Sequence, residues 1–365
     1  MKNASFRKKL SFLLPVIILL VISLLDMYGA RFISSNFNSN LTRQCIWIII
    51  GLLSLVLVNK ININVLYKYS GLFYWLGCLS LLLVLFFGSN INGASSWFQI
   101  GPVSIQPSEL FKFFYIIHIS KIIGESKKES GIQLFIKVLL LSSLPCLLIF
   151  LEPDSGVTLM YILMMFGIIF GSKIEKKYPF ALIASGVVAI GLFFGLYFFN
   201  GDLFTKIFGY SFFYRIDRLL SFQNATSYQL SNALIGVGAS GLFGYGLTHK
   251  KMYIPEVTTD FVFDLTICNF GLFAGILVTV LYAIILYKLY KEASKVKNQK
   301  TKCIILGVLY MMSFQVVEHI FMNLGLTPIT GITLPFLSYG GSSLLSYFLL
   351  FGLIIKITTN SSSYN

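Results

Sequence analysis

Ten apolar stretches, separated by short polar segments, run through almost the whole 365-residue chain. An α-helix needs roughly 17–25 residues to cross a lipid bilayer, and most of these stretches reach or approach that length. Only 12% of the residues are charged and 56% are hydrophobic, whereas soluble domains are about 25% charged. The pattern excludes a disordered chain, a soluble enzyme and a disulfide scaffold. It predicts an all-α polytopic membrane protein that forms one transmembrane domain over residues 1–365.

The first span begins behind a basic N-terminus, as a signal peptide does. Its apolar run is long, however, and no small-residue cleavage site follows, so we expect an uncleaved helix. A polar hairpin, EPDSG, separates two short spans in the middle of the chain. The predicted spans are 11–30, 44–59, 69–88, 108–124, 137–151, 156–171, 179–199, 261–287, 303–324 and 336–356.

The net charge of +14 reflects lysines and arginines that cluster in alternate loops. Such clusters indicate topology, not nucleic-acid binding, and they place both termini in the cytoplasm. The large segment 200–258 then lies outside as the main extracellular loop. Within it, the Gly-rich stretch 231–246 is predicted to be re-entrant or to lie on the membrane surface, because it is too short and flexible for an ordinary span.

The chain has only fourteen acidic residues, and ionisable groups near membrane depth are costly. Those in or beside the outward ends of spans therefore indicate either a functional site or ion pairs that hold helices together. They are Glu109, Glu152, Asp154, Asp217, Glu256, Asp260, Asp264 and Glu318.

Two of these acids begin helices. Glu109 lies three residues before Lys112, on the same helix face, so it could pair with that lysine or satisfy free N–H groups at the helix start. Asp260 follows Thr259 at the start of an apolar run. Either residue could be a plain N-cap, or Asp260 could act as a general base or hold a divalent cation.

Two further features could bind an anion. Gly340 and Gly341, flanked by hydroxyl side chains, allow either close helix packing or a helix N-terminus directed at an anion. Arg215 and Arg218 lie three residues apart and could clamp a pyrophosphate or simply reach the membrane interface. The isolated His249 and His319 are typical of structural histidines, and the five scattered cysteines suggest neither a metal site nor a disulfide framework.

Several motifs together resemble the SEDS family, the shape, elongation, division and sporulation proteins RodA, FtsW and SpoVE. They occur in order along nearly the whole chain, and their residues are more similar to those of FtsW and SpoVE than to those of RodA. The motifs include QPSELFK (106–112), EPDSG (152–156), YRIDRLLSF (214–222), TTDFVF (258–263) and GITLPFLSYGGSS (331–343).

The resemblance implies a peptidoglycan glycosyltransferase in the bacterial plasma membrane, which polymerises lipid II outside the membrane in division, elongation or sporulation. The donor is a growing glycan on undecaprenyl pyrophosphate, and the acceptor is the 4-hydroxyl group of a lipid II GlcNAc. The implied partner is a penicillin-binding protein of the transpeptidase class (class B), and the implied cofactor is a divalent cation, Mg²⁺ or Mn²⁺.

Residue by residue, Asp260 matches the family's essential acid and is the expected base or metal ligand. Glu109 and Lys112 match its acid–lysine pair and are the other expected catalytic residues. The expected substrate-binding residues are Asp154, Arg215, Thr259, Ser338, Gly340, Gly341 and Ser342.

The chain also departs from the family pattern near this site. The family usually has Arg at position 96, His at 258, paired acids at 268 and 269, a small residue at 264 and Asn at 319. The chain has instead Ser96, Thr258, Cys268, Asn269, Asp264 and His319. Asp264 lies one turn after Asp260 and could partly compensate for a lost acid. The departures leave open a weakened paralogue that acts as a scaffold for the penicillin-binding protein. A lipid II flippase is a further alternative, although few charges lie in the middle of the spans.

Overall fold

The computed structural model describes residues 2–91, 94–101, 103–126, 129–210, 213, 228–249 and 252–359. The described chain is a helical bundle with a small three-stranded sheet at one end. Its helices are α1 (Lys2–Ala30), α2 (Asn40–Lys60), α3 (Ile63–Phe87), α4 (Pro107–Glu125), α5 (Gly131–Leu151), α6 (Ser155–Phe170), α7 (Lys177–Phe199), α8 (Gly201–Phe208), α9 (Tyr228–Ser240), α10 (Val262–Phe270), α11 (Leu272–Lys295), α12 (Gln299–Asn323) and α13 (Gly341–Thr359).

The helices agree with the predicted architecture. Eight of those described, α1, α2, α3, α5, α7, α11, α12 and α13, are long and apolar enough to cross a membrane. The predicted spans 108–124 and 156–171 correspond to α4, which carries several charges, and to α6, which has only 16 residues. The expected loop 200–258 contains α8 and α9, and its segment 214–227 lies outside the described residues.

The predicted span 261–287 is interrupted at Gly271, which separates α10 from α11. Gly271 has a φ of +85°, and a Cβ atom there would lie 2.1 Å from the carbonyl oxygen of Leu242. The Gly-rich turn after α9 packs into this break, where the N–H of Leu272 donates to the carbonyl of Gly241 and that of Tyr245 to Cys268. Hydropathy does not reveal the break because α10 and α11 are both apolar.

Helix α12 packs against α4, α6 and α11, whereas α13, the most buried of the eight candidate spans, packs along α2 and α4. The last predicted span, 336–356, begins as a helix only at Gly341, and residues 335–340 before it are not helical. By contrast, α7 is the least buried of the eight candidate spans.

The sheet connects α3 to α4. Its strands β1 (Ser89–Ile91), β2 (Ala94–Ile100) and β3 (Val103–Ile105) are antiparallel, and β2 is central. Pro107 begins α4, as the sequence predicts, because a proline lacks the N–H that the first helical turn cannot use. The acid–lysine pair Glu109 and Lys112 therefore lies in α4 shortly after the last strand of the sheet.

The two glycines before and at the start of α13 have different surroundings. A Cβ atom on Gly341 would lie 2.2 Å from the Trp47 ring on α2, whereas one on Gly340 would meet nothing closer than 3.7 Å. Gly341 thus permits the close approach of α13 and α2 that small residues allow in membrane bundles.

We expect Gly341→Ala to lower the free energy of unfolding by about 1–3 kcal/mol, because the new methyl group overpacks the α2–α13 contact. Gly340→Ala is the matched control and should leave stability unchanged. Thermal unfolding of the detergent-solubilised proteins measures both. Equal stability of the two variants would contradict the packing role of Gly341.

Candidate active site

A cavity of about 680 Å³ lies at the end of the bundle where α4, α6, α10 and α13 begin. This volume is within the range of small-molecule sites, roughly 300–1,000 Å³. Four carboxylates line the cavity, namely those of Glu109, Asp154, Glu256 and Asp260. Acidic groups from three separate parts of the sequence therefore meet in one place.

Asp260 is presented by a tight turn that precedes α10. Glu256 has a φ of +51°, and its carbonyl oxygen accepts the N–H groups of Thr259, Asp260 and Phe261. The hydroxyl of Thr259 donates to the Glu256 carboxylate at 3.1 Å. The N-cap of α10 is Phe261, so neither Thr259 nor Asp260 is the plain helix cap that the sequence left open.

Residues of α12 and of the segment before α13 form hydrogen bonds with the backbone of this turn. The Asn323 side chain of α12 donates to the carbonyl oxygen of Asp260 at 2.8 Å. The Ser338 hydroxyl donates to the carbonyl of Thr259, and the Tyr339 N–H donates to the carbonyl of Thr258, each at 2.8 Å. The backbone around Asp260 is thereby fixed from two directions.

A second set of hydrogen bonds extends this support to α1 and α2. Asn40 donates to the Thr258 hydroxyl at 3.1 Å. Gln44 donates to the carbonyl of Ser338 at 3.3 Å and to the Ser23 hydroxyl at 3.0 Å. These contacts give the glutamine at the start of the second span a structural role beneath the turn.

The Asp260 carboxyl group has a raised pKa. Burial raises its pKa to about 7, and the negative charge of Glu256 adds to the increase. A pKa near the operating pH suits a group that accepts or donates a proton during a reaction.

Glu109 and Lys112 form the expected pair, with Lys112 Nζ 2.6 Å from Glu109 Oε2. The lysine is fully buried, and its ammonium lies 4.9 Å from the centre of the Tyr347 ring. Glu109 lines the cavity and Lys112 does not. The pair lets a carboxylate face the cavity while its counter-charge stays inside the bundle.

Asp154 caps α6 by accepting the Val157 N–H at 3.0 Å, and it also accepts from the Gln106 side chain at 3.1 Å. Burial raises its pKa to about 6, and the charge of Glu109 adds to this rise. Nearby Glu152 is fully buried, and its carboxyl oxygens have no hydrogen-bond partner among the described residues. Burial, followed by the charge of Asp154, raises the Glu152 pKa to about 8.

The start of α13 offers positive potential without a carboxylate cap. The first N–H groups of any helix have no intrahelical acceptor, and the helix dipole is positive there. Gly340, Ser342 and Ser343 line the cavity at this helix start, and the Ser342 hydroxyl accepts the Gln106 N–H at 3.1 Å. The N-termini of α4 and α6 carry Glu109 and Asp154 instead.

The structure brings six of the predicted site residues to the cavity: Glu109, Asp154, Thr259, Asp260, Gly340 and Ser342. Lys112 lies beneath it. Ser338 is buried with its hydroxyl engaged by Thr259 and Leu334, and Gly341 packs against Trp47. Arg215 lies outside the described residues. The catalytic and substrate-binding roles of all these residues stay predictions.

The residues that depart from the family pattern occupy several different environments. Ser96 lines the cavity, and Thr258 is buried against Asn40. His319 Nδ1 lies 2.8 Å from the carbonyl oxygen of Ile332. Cys268 lines a separate, largely apolar cavity of about 230 Å³. Asp264 is fully buried and does not line the acidic cavity.

The sequence interpretation missed Asp26, a buried acid within α1. Its carboxylate accepts the Thr266 hydroxyl at 2.6 Å and the Asn269 side-chain N–H at 2.7 Å. An acid inside an apolar run was the available signal. The positioning contacts of Asn323 and Asn40 had no comparable signal, because each depends on a residue more than sixty positions away.

Residues 7–363 match the family model of the FtsW, RodA and SpoVE cell cycle proteins. The chain belongs to this SEDS family. It is a multi-pass membrane protein, as the family and the helices require.

Relatives within the family are similar over most of their length. The chain is 30% identical over 335 residues to the "Probable peptidoglycan glycosyltransferase FtsW" of Coxiella burnetii, covering 86% of this chain and 85% of the relative. It is 29% identical over 363 residues to the stage V sporulation protein E of Bacillus subtilis, covering 94% and 95%.

Two solved structures share the fold. One is from a study of a peptidoglycan synthase complex that coordinates polymerization and crosslinking, with a TM-score of 0.77, 24% identity and coverage of 96% of this chain and 97% of that one. The other is the rod shape determining protein RodA of Thermus thermophilus, with a TM-score of 0.71, 24% identity and 96% coverage of both chains. This SEDS protein thus has the RodA-like fold.

The electrostatics of the turn predict a measurable titration. With Asp260 isotope-labelled, its carboxyl band in infrared spectra should change with a midpoint near pH 7. Glu256→Gln should lower that midpoint, because the substitution removes a neighbouring negative charge while burial is unchanged. A midpoint that is the same in both proteins would show that Glu256 does not act on Asp260.

Proposed function

We propose that this SEDS protein is a peptidoglycan glycosyltransferase that polymerises lipid II into glycan strands at the outer face of the plasma membrane. Its family supports this proposal, since the relatives include probable peptidoglycan glycosyltransferases. The observation that carries the chemistry is one cavity lined both by the Asp260 carboxyl, with a pKa of about 7, and by the first residues of α13, whose first turn has no acidic residue.

The proposed reaction needs a base and a site for the leaving group. Asp260 takes the proton of the acceptor 4-hydroxyl on the GlcNAc of lipid II. The hydroxyl oxygen then attacks the anomeric carbon of the donor glycan and forms the new glycosidic bond. The bond from that carbon to undecaprenyl pyrophosphate breaks, and its electron pair leaves with the pyrophosphate. A base whose pKa is near the working pH is efficient in such a transfer.

The start of α13 is the best-suited place for the pyrophosphate. Backbone N–H groups and hydroxyls at a helix N-terminus bind phosphate groups, and here they come from Gly341, Ser342 and Ser343. Glu109 and Asp154 occupy the comparable positions on α4 and α6, so those helix ends repel an anion. Lys112 partly offsets the charge of Glu109.

A divalent cation, Mg²⁺ or Mn²⁺, fits this acidic cavity. Among the described residues, no three His, Cys, Asp or Glu side chains form a complete metal site. Mg²⁺ is commonly held by one or two carboxylates together with substrate phosphates, and Asp260 is the proposed ligand, as the alternative to its role as the base. When bound, the cation would neutralise charge on the pyrophosphate.

The orientation of the bundle and its partner belong to the same proposal. The distribution of lysines supports a cytoplasmic position for both termini. A class B penicillin-binding protein, a transpeptidase, is the proposed partner, supported by the likeness to a chain from a peptidoglycan synthase complex. Coupling the two proteins would join strand polymerisation to crosslinking.

Purified protein tests the role of Asp260. We expect the wild type, with its penicillin-binding partner and Mg²⁺, to make glycan strands from lipid II. Asp260→Asn should reduce the rate of strand synthesis at least about 100-fold, since general-base catalysis accelerates a reaction roughly 10²- to 10⁴-fold.

Asp264→Asn is the matched control for Asp260→Asn. It makes the same chemical change one helical turn away, at a buried carboxyl outside the cavity, so it should retain activity. Equal strand synthesis by wild type and Asp260→Asn would contradict the role of Asp260 as the base. Absence of strands from a folded wild type that still binds its partner would favour the scaffold alternative. A large loss in Asp264→Asn would instead support a compensating role for that acid.

Chelation tests the proposed cation. EDTA should abolish strand synthesis by the wild type, and excess Mg²⁺ or Mn²⁺ should restore it. Calorimetric titration of Mn²⁺ into the wild type and Asp260→Asn, each with lipid II bound, gives a readout independent of turnover. Full activity in EDTA would contradict the cation requirement but would leave the role of Asp260 as a base intact.

A further inference from the structure

Gln315 is a buried amide in the wall of the acidic cavity. It lies on α12, is 1% exposed, and its Oε1 has no hydrogen-bond partner among the described residues. A buried, unsatisfied polar atom costs about 1–3 kcal/mol. The proposed transfer step gives Gln315 no role, so its place in the cavity needs another explanation.

Two other residues that line the same cavity come from strand β2. Ser96 is fully buried, and its hydroxyl also has no partner among the described residues. Its neighbour Trp97 lines the cavity as well. The lining residues therefore include an aromatic residue, a hydroxyl that can donate a hydrogen bond, and an amide oxygen that can accept one.

These groups are neutral, in contrast to the carboxylates around Asp260. An acceptor and a donor beside an aromatic ring complement an acetamido group on a sugar, which has one N–H, one carbonyl oxygen and an adjacent apolar ring face. The amide of Gln315 contains both a donor and an acceptor, so this argument holds for either orientation of its side chain.

The position of Gln315 suits a second sugar-binding region. It lies eight residues before Asn323, the residue that holds the carbonyl of Asp260. Eight helical residues correspond to about 12 Å along the helix axis. This separation is comparable with the length of a disaccharide, so a substrate that reaches Asp260 with one ring can extend another towards Gln315.

We propose that Gln315, with Ser96 and Trp97, forms a subsite that recognises an acetamido group of the lipid-linked aminosugar substrate. This inference rests on the proposed function and adds the source of selectivity for N-acetylated sugars. A site built to pair a polar substrate group strongly rejects an analogue that lacks the group, because its own buried atoms then stay unpaired.

The test combines protein variants with substrate analogues. Gln315→Met keeps the side-chain length and removes the amide. One lipid II analogue carries a hydroxyl in place of the acetamido group on GlcNAc, and a second carries it on MurNAc. A hydroxyl is used because a free amine would be cationic and would bind the acidic cavity for a different reason.

We expect Gln315→Met to lower kcat/KM for lipid II roughly 10- to 100-fold. For one of the two analogues, the kcat/KM of the wild type should be lower than its kcat/KM for lipid II by a similar factor. Gln315→Met should have about the same kcat/KM for that analogue as for lipid II. The analogue that behaves in this way identifies the recognised sugar. Ser96→Ala should lose activity in the same direction.

Ser120→Ala is the matched control for Ser96→Ala. Ser120 is also fully buried with an unpartnered hydroxyl, but it lies on α4 away from the cavity. Ser120→Ala should have the same kcat/KM as the wild type for lipid II and for both analogues. The proposal is overturned if Gln315→Met loses as large a factor in kcat/KM on each analogue as the wild type does. The two effects would then be independent, and Gln315 would not contact an acetamido group.

Binding separates this proposal from the proposed function. The affinity of detergent-solubilised wild type and Gln315→Met for lipid II and for the two analogues gives the same comparison without turnover. Absence of strands with retained, acetamido-dependent binding would contradict the glycosyltransferase but support the subsite. Strand synthesis with equal binding of all substrates by both proteins would support the enzyme and overturn the subsite.

Discussion

Irregular backbone inside a membrane bundle must find hydrogen-bond partners within the protein, because lipid offers none. Here two irregular segments, the turn at 254–261 and the stretch at 335–340, satisfy one another. Ser338 and Tyr339 bind the carbonyls of Thr259 and Thr258. The catalytic carboxyl of the proposed mechanism is therefore placed by a pairing that the bundle needs for its own stability.

The same arrangement explains how so many acids share one cavity. Glu109 forms an ion pair with the buried Lys112. Asp154 accepts a hydrogen bond at the N-terminus of α6. Asp260 has a pKa of about 7, so it is partly neutral at pH 7. Each carboxyl is thus accommodated by a different physical means. The start of α13, whose first turn has no acidic residue, is an electropositive part of the described wall.

Sequence reasoning predicted the architecture well because hydropathy and the short polar hairpins mark each helix. It also placed Glu109, Asp154 and Asp260 as candidates, since acids are conspicuous in so apolar a chain. It could not foresee that Ser338 would support the turn at Thr259, or that Gly341 would contact Trp47, because neither contact has a local signature. The break at Gly271 depended on a distant turn and was hidden for the same reason.

That break determines what the short helix α10 is attached to. The helix is separated from α11 by Gly271, yet Asp26 of α1 binds it twice through Thr266 and Asn269. Removal of the Asp26 carboxylate would leave the buried side-chain N–H of Asn269 without this acceptor. The packing of α10, which directly follows the Asp260 turn, thus depends on an acid in the first helix of the chain.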